Sequence, residues 1–92
     1  MSTFLLEIIT PERIAYQDQI DMVVAPAVGG NVGILPHHTP LFTQLGIGEL
    51  KITKGSEDYY LAIGGGYLEV TPEKTVILVT KAVHAEEINE EE

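Results

Sequence analysis

Glu49-Leu50-Lys51-Ile52-Thr53-Lys54-Gly55-Ser56-Glu57-Asp58-Tyr59-Tyr60-Leu61-Ala62-Ile63 reads as two extended runs joined by a tight turn. Polar and apolar residues alternate from Glu49 to Lys54, the period of a strand with one buried face, and the phase turns Leu50 and Ile52 inward. Lys54-Gly55-Ser56-Glu57-Asp58 carries turn chemistry, so the spacing predicts a β-hairpin that returns the chain through residues 59–63. Tyr59 and Tyr60 fall on opposite faces, one toward the core and one outward.

The same grammar extends in both directions. Gly64-Gly65-Gly66 interrupts the pattern, which resumes over 67–71, turns at Pro72-Glu73-Lys74 and returns over 75–80. Upstream, a strand over 4–10 ends at Thr10-Pro11-Glu12, a short one covers 14–16, and a third over 19–25 is stopped by Pro26. Gly29-Gly30-Asn31 turns the chain, 33–35 and 42–45 are short strands, and Gly46 and Gly48 punctuate again. Nine or ten short strands leave no room for crossover helices. The expected fold is all-β, a flattened antiparallel sandwich or barrel of about ten strands.

Composition sets the outer limits. Ninety-two residues with 45% hydrophobic content make one compact domain, expected over residues 1–86, with 87–92 as an acidic tail. Runs such as Met22-Val23-Val24-Ala25 are far shorter than a membrane-spanning helix requires, and the first residues carry no targeting pattern, so a soluble domain acting where it is made is expected. The absence of cysteine removes disulfides and thiolate metal sites. The net charge is −9, and the five glutamates between positions 86 and 92 leave −4 for the rest. The few cations, Arg13, Lys51, Lys54, Lys74 and Lys81, are scattered, a poor footing for nucleic acid.

Few residues look chemical. Gly64-Gly65-Gly66 leads into the strand pattern Tyr67-Leu68-Glu69-Val70 and not into a helix, and it lacks the Lys-Ser/Thr ending of a phosphate loop. A bulge or a close sheet contact suits it better. His37 and His38 are adjacent, so on an extended segment they diverge, and with distant His84 they do not have metal-ligand spacing. A small cupin-like metal hydrolase built on these histidines and a glutamate would need two histidines separated by one residue, which the chain does not have. No cofactor and no metal are expected.

The remaining motif is Gly33-Ile34-Leu35-Pro36-His37-His38-Thr39-Pro40-Leu41, in which Pro36 and Pro40 stiffen the backbone and bias Leu35 and Thr39 toward extended conformations. Taken with Thr10-Pro11-Glu12 and Gly64-Gly65-Gly66-Tyr67-Leu68-Glu69-Val70, it resembles the N-terminal domain of the epsilon subunit of bacterial and chloroplast F-type ATP synthases. That family's patterns run Gly-Ile-x-Pro-x-His-x-Pro-Leu and Gly-Gly-x-Leu-Glu-Val. The likeness covers nearly the whole chain, through Ala82 and into Ala85-Glu86-Glu87-Ile88.

The resemblance implies a ten-stranded flattened sandwich in the rotating central stalk, a non-catalytic subunit that couples rotation and proton transport to ATP synthesis. It would be peripheral to the membrane, on the cytoplasmic face of the bacterial inner membrane or the stromal face of the thylakoid. The partners implied are the gamma subunit, met by Thr10, His38, Leu41, Phe42 and Thr43, and the c ring, met by Gly29, Gly30 and Asn31. Many relatives carry an acid where Asn31 stands, so a neutral contact replaces an ionic one. Full-length relatives continue into a helical hairpin that restrains ATP hydrolysis, and this chain is expected to act without it. The alternative reading is a free-standing β-sandwich interaction module with Leu41, Phe42 and Leu45 as its adhesive patch.

Overall fold

The computed structural model describes residues 2–80 and 82–84. Eight strands occur among them: β1 (Phe4–Ile9), β2 (Ile14–Ile20), β3 (Met22–Ala27), β4 (Gly30–Ile34), β5 (Leu41–Lys54), β6 (Glu57–Val70), β7 (Lys74–Val79) and β8 (Ala82–His84). The boundary expected at residue 86 and the acidic tail over 87–92 lie outside the described residues.

The strands are hydrogen-bonded in the order β2-β1-β7-β6-β5-β3-β4, with β8 on β6. This one sheet folds over itself because β5 and β6, each 14 residues long, change layer midway. Residues 41–45 of β5 pair with 66–70 of β6, which in turn pair with β7. Beyond the crossing, residues 51–53 of β5 pair with β3, and residues 61–63 of β6 pair with β8. One layer therefore holds β2, β1, β7 and the first set of halves. The other holds β4, β3, the second set and β8, so each layer has five strand segments and the expected ten are recovered.

The expected hairpin is present. Leu50 and Ile52 are buried, Lys54 pairs with Glu57, and Tyr59 is half-buried while Tyr60 is exposed. Gly46, Gly48 and Gly64-Gly65-Gly66 do not end strands as the sequence suggested. The ladder continues from Leu45↔Gly66 to Ile47↔Gly64, but the parity of the buried residues changes across it. Leu45 is buried on one side and Leu50 and Ile52 on the other; on β6, Leu61 and Ile63 give way to Leu68 and Val70. Opposite faces of the ribbon meet the core in its two halves, so the ribbon turns over at the glycines, where side chains would resist the twist.

Three further details differ from expectation. Residues 19 and 20 complete β2, and only Asp21 separates it from β3 as the chain changes layer. Pro26 lies inside β3, paired with Asn31, and its missing amide is tolerated because the ladder to β5 is broken between Val24 and Ala27. The pair β1·β7 is parallel. No short turn joins these two strands, so nothing local dictates their direction. Between the layers Leu6, Ile8, Ile20, Val23, Ile34, Leu50, Leu68 and Ile77 form the centre of a continuous apolar core, each worth about 1.5–3 kcal/mol in transfer free energy.

Candidate docking face

The outer face of the first layer departs from the usual polar exterior of an antiparallel sheet. Register places Ile14, Ile9, Leu78 and Tyr67 side by side across four strands, with Gln44 at the end of the row. The neighbouring row runs Gln17, Glu7, Val76, Glu69, Phe42. Phe42 and Tyr67 lie diagonally and stack, with ring centroids 5.6 Å apart and 14° between planes. Ile14 is 52% exposed, Leu78 44%, Tyr67 46% and Phe42 64%. A shallow depression of about 310 Å³ runs between Thr10 and Pro11 on one side and Tyr67 and Leu78 on the other.

One ion pair is set into this face. Glu7, only 8% exposed, accepts a hydrogen bond from Lys74 Nζ at 3.1 Å and another from Gln17 Nε2 at 2.6 Å. These bonds, that from Lys74 foremost, hold the Glu7 carboxyl below the ordinary glutamate range against the opposing effect of burial.

The residues singled out by sequence are dispersed. Phe42 closes the second row of the face and Thr10 borders its depression, where the Thr10 hydroxyl donates to the Arg13 carbonyl at 3.1 Å and accepts from the Arg13 amide at 3.3 Å. Leu41 and Thr43, adjacent to Phe42 on the same strand, are turned the other way and half-buried. His38 lies at the opposite end of β1, beside an open cleft of about 520 Å³ that Phe4, Val70 and Lys74 also line. Its amide donates to the Leu35 carbonyl at 3.2 Å, closing a turn with Pro36 and His37 at the centre. His37 has φ 66°, the conformation a type II turn requires after its proline and which glycine or asparagine usually fills. The His38 Nδ1 lies 2.7 Å from the Thr39 carbonyl oxygen. Gly29, Gly30 and Asn31 are exposed at the β3–β4 tip, Gly29 in the turn and the other two opening β4. Thr10 and Phe42 thus share one face, while His38 and the glycine turn occupy other parts of the surface.

Sequence reasoning passed over Ile9, Ile14, Tyr67 and Leu78. Their signal was present: with Leu68, Val70, Ile77 and Val79 fixed inward, Tyr67 and Leu78 must be outward, where large apolar residues side by side form an exposed patch. Among the described residues, no three histidine, aspartate or glutamate side chains gather as metal ligands.

A small β-sandwich with an aromatic and aliphatic patch on one outer sheet face is the class so defined. The chain belongs to the family of the ATP synthase Delta/Epsilon chain beta-sandwich domain, whose profile matches residues 3–85. It is 47% identical over 89 residues to the ATP synthase epsilon chain of Dehalococcoides mccartyi, covering 97% of this chain and 64% of the relative. To the epsilon chain of a Roseiflexus species it is 48% identical over 85 residues, covering 92% and 61%. The chain therefore spans less than two thirds of the length of these relatives. In fold it resembles a chain of the Euglena gracilis mitochondrial ATP synthase, solved as an OSCP/F1/c-ring assembly, with a TM-score of 0.87 at 23% identity over 97% of this chain and 57% of the other. A chain of the Tetrahymena thermophila central stalk and c ring gives 0.78 at 19% identity, over 94% and 69%.

Proposed function

We propose that the chain is a non-catalytic central-stalk subunit of an F-type ATP synthase, seated on the gamma subunit and the c ring and coupling rotation to ATP synthesis. The observation that carries this reading is the apolar face of Ile9, Ile14, Phe42, Tyr67 and Leu78 on a member of this family. An exposed aromatic cluster of this kind is suited to cover by another protein, and gamma is the occupant assigned to it. Gly29, Gly30 and Asn31, exposed at a hairpin tip, are assigned to the c ring. A stiff sandwich with strands crossing between its layers resists shear, the property a torque-bearing wedge needs. Within the complex the domain would be peripheral to the membrane, on the cytoplasmic side in a bacterium.

The test is a calorimetric titration of the chain with purified gamma subunit, with and without assembled c ring. Saturable one-to-one binding to gamma, strengthened by the ring, is expected. A folded chain that binds neither would overturn the assignment in favour of a free-standing module.

A further inference from the structure

Glu69 is an exposed carboxylate in the middle of the apolar face. On its own strand Tyr67 is the next outward residue, and across the ladders it is opposite Phe42 on one side and Val76 on the other. Directly opposed residues have Cβ atoms about 4.5–5.5 Å apart, so its immediate surroundings are an aromatic ring and an aliphatic side chain. Among the described residues it has no salt bridge, and the three ion pairs present involve Glu7, Asp18 and Asp58. Lys74, the lysine on this face, is held by Glu7. The two charges of that pair cancel, which leaves Glu69, among the described residues of these two rows, as a carboxylate without a cationic partner.

Covering such a face with a purely apolar partner would strip water from a carboxylate with nothing in exchange, an outcome that disfavours association. A partner with a cationic side chain at that point would form a charge-assisted hydrogen bond in surroundings that Phe42 and Val76 keep dry. We infer that Glu69 is a specificity-determining residue of the docking face, and that it accepts a guanidinium or ammonium group projecting from an otherwise apolar surface of the protein that covers Phe42, Tyr67 and Leu78. The inference rests on the assignment of this face to the gamma subunit.

The experiment titrates gamma with the unmodified chain, with Glu69→Gln, with Glu69→Lys and with Phe42→Ala, each at two salt concentrations. Glu69 is exposed, so thermal melting of its variants should match the parent. Expected are a loss of affinity of roughly 10- to 100-fold for Glu69→Gln, a larger loss for Glu69→Lys, and a salt dependence in the parent that Glu69→Gln flattens. Binding weakened by Phe42→Ala but unaltered in strength and salt dependence by Glu69→Gln would overturn the role of Glu69 while leaving the face in place. Binding indifferent to Phe42→Ala as well, or no binding by the parent, would overturn the assignment of the face and the inference with it.

Discussion

A Cβ placed on Gly66 would lie 2.0 Å from the carbonyl oxygen of Leu78, on the strand directly alongside. No rearrangement of a flexible side chain relieves that overlap, because the obstacle is backbone, and the ladder joining β6 to β7 would have to open at its first pair, Gly66↔Val79. Gly66→Ala should cost about 3 kcal/mol or more, lowering the melting temperature by roughly 15 °C in a domain of this size. Gly29→Ala, where a Cβ meets nothing within 4 Å, is the control and should melt within a few degrees of the parent. Equal melting temperatures for the two variants would mean that strands β6 and β7 do not approach at Gly66 as described.

The hairpin over 49–63 was legible because alternation and turn chemistry agreed there, and Leu50 and Ile52 are where the pattern puts them. The glycines were ambiguous for a physical reason. Gly46, Gly48 and Gly64-Gly65-Gly66 carry no side chain to show whether the chain stops or twists, and here it twists, so four expected strands became two long ones. The parallel pairing of β1 with β7 joins segments about 70 residues apart, beyond any local signal. On the candidate face, Phe42 and Thr10 were among the residues the resemblance implied, whereas Tyr67 and Leu78 became visible only when core neighbours fixed their direction. His38, which the pattern grouped with Thr10, is separated from it by the length of β1.

Acid should weaken the fold through two carboxyls. The folded-state pKa of Glu7 is lowered by hydrogen bonds from Lys74 and then Gln17, and that of Asp18 by Lys54 and then the Gln19 amide. A carboxyl whose folded value lies below its unfolded value contributes stability that is fully present above the unfolded value and lost as pH falls through the folded one. Stability should therefore hold above the ordinary glutamate value of 4.5 and decline below it. In Glu7→Gln the decline should be shallower, which chemical denaturation at a series of acidic pH values would detect. An unchanged slope would show that the Lys74 contact contributes nothing.

The alkaline limb should depend on Tyr16. Burial, then the charges of Asp18 and Tyr59, push its phenol up to about 12. A group whose folded value is raised stabilises below its unfolded value and loses that contribution as pH climbs to the folded one, so stability should fall between pH 10 and about 12. Spectroscopic titration of the phenolates should show a late ionisation of Tyr16, coincident with unfolding, beside that of Tyr59, whose phenol is raised first by its hydrogen bond to Glu57. Tyr16→Phe should abolish the ionisation coincident with unfolding and flatten the stability loss. Retention of that step in Tyr16→Phe would assign it to another tyrosine.

The stacked pair of Phe42 and Tyr67 offers the sharpest test of how the outer face is used. Its rings lie 5.6 Å apart on adjacent strands, with large exposed areas and no share in the core. Removing either ring should leave the fold nearly unchanged, since surface truncations away from special features shift stability by about 0.5 kcal/mol or less. In the proposed assembly with gamma, buried aromatic anchors of this kind would be worth about 2 kcal/mol or more, so Phe42→Ala and Tyr67→Ala should each weaken binding at least tenfold. The two losses should not add. Once one ring is gone the other loses its support, and the double variant should fall short of the sum by about 0.5–1.5 kcal/mol, the coupling typical of an aromatic pair. Thr43→Val, on the same strand but turned inward, should bind like the parent. Additive losses would mean that the rings engage the partner independently, and a defect in Thr43→Val equal to that of Phe42→Ala would mean that the interface follows the strand and not its outer face.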